Sequence, residues 1–193
     1  MIDFKKLMEI YDDAFSPLYY MLLCALLVVY YDSKKTGKTK EAILVTIVAY
    51  LIGISTYSIW FFVKKPSTPQ WIEDLLAVSG LSLAMIIGYY AVRRKIYDGL
   101  VKLGLLILVA LTIPYAVISV FWNISGHVAY TTAPTLFLAR IDRKFYPLVA
   151  VPLLMVVNRP IVGAHSWSES VAGFVLAAAV TIFVTSKYRK GLV

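Results

Sequence analysis

Residues 158–169 read NRPIVGAHSWSE and place Arg159, His165 and Glu169 in a largely apolar neighbourhood. His165 and Glu169 are four apart, so on a helix that starts near Ala164 they share one face. A carboxylate there accepts a hydrogen bond from one ring nitrogen and leaves the other as a nucleophile, a base oriented by a third group. A second stretch, NISGH at 123–127, holds the other histidine, His127, behind Ser125 and Gly126. As the start of a helix it offers backbone N–H groups and a dipole that favour an anion such as phosphate, and Gly126 permits close approach. Arg159 adds a planar fork matched to phosphate oxygens. A third stretch, KKPSTPQWI at 64–72, supplies point charge from Lys64 and Lys65.

Plainer readings compete at several of these positions. Two histidines with Glu169 are a partial zinc set, but no Cys or acidic cluster joins them and Arg159 repels a cation, so no metal and no cofactor is expected. Asn123-Ile124-Ser125 matches a glycosylation sequon, an accidental match if Ser125 serves the site. The single cysteine, Cys24, lies in an apolar run, which rules out an intrachain disulfide and fits a small core or lipid-facing residue.

The elements that must position these groups are written in the composition. Of 193 residues, 60% are hydrophobic and 16% charged. A soluble globule has about 45–50% and about 25%. Apolar runs fall at about 16–31, 42–63, 73–92, 101–122, 127–140, 145–160 and 168–186. In lipid the backbone must satisfy its own hydrogen bonds, so these read as helices. The expectation is an all-α integral membrane bundle, one domain over 1–193, with six to seven transmembrane helices. The run at 127–140 is short, about 21 Å at 1.5 Å per residue, and needs thinned lipid or partners that bury its ends. Residues 1–15 carry Phe4, Leu7, Met8, Tyr11 and Phe15 at helical spacing among charges. An interfacial helix and a frayed polar terminus both fit that pattern. The opening residues show no cleavable signal-peptide pattern.

Net charge is +8, yet its distribution excludes a nucleic-acid surface. Fourteen of the nineteen basic residues fall in alternate loops: Lys34, Lys35, Lys38 and Lys40; Arg93, Arg94, Lys95 and Lys102; Arg140, Arg143 and Lys144; Lys187, Arg189 and Lys190. The positive-inside rule makes that side cytoplasmic. Loops 64–72, 123–127 and 158–168 then share the extracytoplasmic side, and both histidines fall there. Trp71, Trp122 and Trp167 lie near the same mouth, where an interfacial belt explains them.

SGH at 125–127 together with R-x5-H-x3-E at 159–169 resembles the type 2 phosphatidic acid phosphatase superfamily. That family carries motifs of the form K-x6-R-P, P-S-G-H and S-R-x5-H-x3-D. Here Ile124 stands for the proline, Asn158 for the serine and Glu169 for the aspartate. VAG at 171–173, the order of the motifs and their membrane setting also look alike. The first motif departs most: VKKPSTP at 63–69 has Lys65-Pro66 for Arg-Pro, and Ser58 at the lysine position.

The resemblance implies metal-independent phosphoryl transfer. His165 would attack phosphorus and form a phosphohistidine. Glu169 would orient it, and His127 would protonate the leaving oxygen. Ser125, Gly126, Arg159 and the lysines 64 and 65 would hold phosphate oxygens. The expected substrate is a lipid phosphate in the cell membrane. A polyprenyl (dolichyl- or undecaprenyl-type) phosphate or diphosphate is favoured, because the chain shows no further domain to read a bulky headgroup. Phosphatidic acid and phosphatidylglycerophosphate are the rival substrates. A transporter with Arg159, His165 and Glu169 along an ion path, or a non-catalytic lipid-binding relative, are the rival classes.

Overall fold

The computed structural model describes residues 3–63, 86, 89, 90 and 99–188. Lys64, Lys65, most of the apolar run at 73–92, and Arg93, Arg94, Lys95, Arg189 and Lys190 lie outside the described residues. The described elements are α1 (Phe4–Ala14), α2 (Pro17–Thr36), α3 (Thr39–Val63), α4 (Leu100–Ser119), α5 (Gly126–Ile141), a 3-10 stretch (Arg143–Val149), α6 (Ala150–Val162) and α7 (Trp167–Lys187). No strand occurs among them.

Element ends follow local chemistry. Asp3 caps α1 by accepting from the Lys5 N–H. Pro17, whose missing N–H costs nothing at a helix start, opens α2 behind Ser16. Gly37 closes α2 at φ 69, a left-handed conformation that glycine adopts without a Cβ clash. Asp142 caps the 3-10 stretch through the Lys144 N–H at 3.0 Å.

Three stretches, Leu100–Ser119, Arg143–Val162 and Trp167–Lys187, are long and apolar enough to cross a membrane. A fourth is counted if α1 and α2, bent by 48° at their break, form one span. Three to four such helices among the described residues is fewer than the six to seven expected from sequence. Apolar side chains cover the outside of these spans: Ile113, Val117, Val175 and Phe183 are all more than half exposed. So much apolar surface on so small a chain fits lipid, not water.

The short helix α5 is buried on every side. Val128, Ala129, Tyr130, Thr131, Thr132, Ala133, Thr135, Phe137, Leu138 and Ala139 are all buried. It packs against α2, α4, α6, α7 and the 3-10 stretch. Most of its sixteen residues therefore face protein, and its length need not match lipid. Thr131, Thr132 and Thr135 satisfy their hydroxyls by donating back to the carbonyls of His127, Val128 and Thr131, each at 2.7 Å. Two inter-helix hydrogen bonds fix its neighbours: Tyr20 with Thr135 and Tyr130 with Thr112, both at 2.8 Å.

One end of the bundle gathers basic residues. Fully buried Asp32 of α2 accepts from the first-turn Val101 N–H of α4 at 2.8 Å. Tyr31 donates to Asp142, and Arg140 reaches Ser186 at the end of α7. These ties bring Lys34, Lys35, Lys102, Arg140, Arg143, Lys144 and Lys187 to that end. The opposite end holds the starts of α5 and α7.

Candidate active site

Two tight turns present the histidines. The first precedes α5. Ser125 caps that helix, its hydroxyl accepting from Val128 N–H at 3.4 Å. Gly126 and His127 are the first two residues of α5, where helix N–H groups have no intrahelical acceptor. The second turn joins α6 to α7. Gly163 adopts φ 80 and ends α6; its N–H reaches Pro160 O and the Ala164 N–H reaches Arg159 O. That is a Schellman turn, in which orphan carbonyls of the last helical turn are satisfied. It converts the five-residue spacer between Arg159 and His165 into a fixed reversal. Ser166 then caps α7, which begins at Trp167.

The turns are stitched together. Ser125 N–H donates to Glu169 O at 3.1 Å. His165 Nδ1 lies 3.1 Å from Asn123 O. A carbonyl only accepts, so that contact puts the proton on Nδ1 and the ring lone pair on Nε2. Glycine makes the approach possible. A Cβ at residue 173 would stand 2.5 Å from the Ser125 carbonyl oxygen, so only glycine lets α7 press against the start of α5.

Sequence reasoning placed several groups differently from the structure. His165 lies before the N-cap of α7, not inside a helix starting near Ala164. Its Nδ1 is 3.6 Å from Glu169 Oε2, beyond hydrogen-bond range. The Glu169 carboxylate instead accepts from Ser166 N–H at 2.7 Å and completes a capping box with the Ser166 hydroxyl. The Asn123 carbonyl contacts the His165 ring at 3.1 Å, and the Glu169 carboxylate lies farther off at 3.6 Å. Ser125 is fully buried, and its hydroxyl caps the helix start. Gly126 accommodates Tyr115: a Cβ there would stand 2.7 Å from the Tyr115 hydroxyl, which donates to Ile124 O.

The structure does bring His127, His165 and Arg159 into one neighbourhood. His127 interacts electrostatically with Arg159, Asp12 and His165. Arg159 is buried and donates through Nη1 to Asp12 Oδ2 at 2.5 Å. Asp12, on α1, is the site residue that the sequence did not reveal. Its only sequence signal was a carboxylate near a helical apolar stripe, 147 residues from its partner. Among the described residues no group of three or more His, Cys, Asp or Glu side chains is arranged to hold a metal ion.

Comparison of the chain with protein-family models, with curated proteins and with solved structures finds no match.

Proposed function

We propose that the protein is a membrane lipid phosphatase that works through a phosphohistidine on His165. The observation that carries this reading is the convergence of two imidazoles and a buried arginine, from three separate elements, at one end of an apolar bundle. The phosphate oxygens meet the Arg159 guanidinium and the N–H groups at the start of α5. His165 Nε2, holding the lone pair, attacks phosphorus in line with the leaving oxygen. The P–N bond forms as the P–O bond to the lipid breaks, and His127, made a proton donor by the negative charge of the bound phosphate, gives that oxygen a proton. Water then attacks phosphorus, its proton passes to His127, and phosphate leaves with His165 restored. Glu169, 3.6 Å from Nδ1, favours the positive charge that the ring acquires. Positioning and electrostatics supply most of the catalysis in phosphoryl transfer.

The favoured substrate is a polyprenyl phosphate or diphosphate, because the apolar flanks of the spans suit a long lipid tail beside the two histidines. The basic end faces the cytoplasm by the positive-inside rule, which puts the site on the extracytoplasmic face of the cell membrane. The test is release of inorganic phosphate from a polyprenyl diphosphate in detergent, with chelator present. The parent should release it and His165→Ala should not. Phosphate released equally by both removes the nucleophile. Release stopped by chelator contradicts the metal-free route. No release from any lipid phosphate favours transport or lipid binding.

A further inference from the structure

Arg159 is only 7% exposed. Its contact with Asp12 runs through one nitrogen and one oxygen, not the paired fork open to an arginine and a carboxylate. Arg159 Nε and Asp12 Oδ1 are both buried and without a hydrogen-bond partner. Asp12 is not a loose surface carboxylate, because α1 is fastened to α6 at two positions in the turn just before it. Tyr11 donates to Val151 O at 2.7 Å, and Asn158 Nδ2 donates to Met8 O at 2.5 Å. Asp12 also acts electrostatically on His127, together with Arg159 and His165.

We propose that Asp12 is a positioning residue of the anion site: it pins the Arg159 guanidinium by one nitrogen and leaves other donors of the fork for the ligand phosphate, so α1 is part of the site. The substrate in this proposal rests on the phosphatase reading above. Two consequences of opposite sign follow. The pin keeps Arg159 aimed at the charge that develops in the transition state, so its loss slows turnover. The carboxylate also sets a negative charge beside a bound anion, so its loss tightens phosphate binding.

The experiment uses the full chain in detergent as parent, Asp12→Asn and Asp12→Ala. It measures kcat and KM on a polyprenyl diphosphate, and binding of inorganic phosphate by calorimetry. Asp12→Ala should lower kcat about tenfold or more, as misplacing a catalytic group does. Asp12→Asn keeps an oxygen that accepts the same hydrogen bond and should restore most of the rate. Both variants should lower KM and bind phosphate more tightly. A structural role alone would slow both variants alike and leave KM and phosphate affinity unmoved; that result overturns the proposal, as does parental kcat in Asp12→Ala. If the parent binds phosphate but hydrolyses no lipid phosphate, the phosphatase reading fails and the affinities decide for Asp12. Tighter binding in both variants then supports it, and unchanged binding overturns it. A parent that neither binds nor hydrolyses overturns both.

Discussion

Glu169 serves two partners at once. It closes the capping box on Ser166 at 2.7 Å and stands 3.6 Å from the His165 ring. The two duties separate by substitution. Glu169→Gln keeps an acceptor for the Ser166 N–H but removes the charge; it should melt close to the parent and lose kcat, by less than the about 100-fold that loss of a donor in direct contact with the reacting oxygen costs. Glu169→Ala loses both, so it should slow turnover sharply and also lose about 1 kcal/mol of stability with the cap. Unchanged turnover in either variant removes the electrostatic role. The H-x3-E spacing is legible in the sequence, but the structure sets His165 ahead of the helix and not on a shared helical face with Glu169. S-x-x-E at 166–169 is itself a helix-start signature, and it sets the N-cap one residue beyond His165.

At the scale of elements, the candidate site depends on how closely α7 and α5 approach. Gly173→Ala would drive a Cβ into the Ser125 backbone carbonyl, which cannot rotate away as a side chain can. Overpacking of this kind costs about 1–3 kcal/mol. The variant should melt lower and lose activity, and an unchanged melting temperature with full activity would show that the helices part without consequence. The opposite end offers a pH-dependent tie. The Lys144 N–H, then the Tyr31 hydroxyl and Lys144 ammonium, hold the Asp142 carboxyl below the usual carboxylate range. A folded-state value below the unfolded one contributes stability above the unfolded pKa, and that stability is lost as pH falls through the folded value. Asp142→Ala should therefore melt lower than the parent near neutrality, and the gap should close in acid; a gap that persists there points to packing instead. Periodicity made the helices legible as apolar runs. It did not show that α5 is encased by protein, because a run of small and hydroxylated residues reads the same in lipid or in a core.

Across the whole molecule, charge is sorted between the ends. Lys34, Lys35, Lys102, Arg140 and Lys187 gather at one, and His127, Arg159 and His165 lie toward the other. Alternate loops made that sorting legible, because topology signals are local in sequence. The Asp12–Arg159 pair was not legible, since nothing local couples residues that far apart. Orientation is testable with single cysteines in a Cys24→Ala background. Ser168→Cys, exposed at the start of α7, should react with a membrane-impermeant maleimide in intact cells. Lys38→Cys, exposed in the α2–α3 turn, should not. The reverse pattern would place the two histidines on the cytoplasmic face.

The most direct measurement is capture of the covalent intermediate. Polyprenyl diphosphate labelled at its terminal phosphate is mixed with the protein in chelator, and the chain is assayed for acid-labile, base-stable phosphate. The parent should carry the label on His165, and His165→Ala should carry none. An unlabelled parent that still releases phosphate, or label that survives in His165→Ala, would contradict the account.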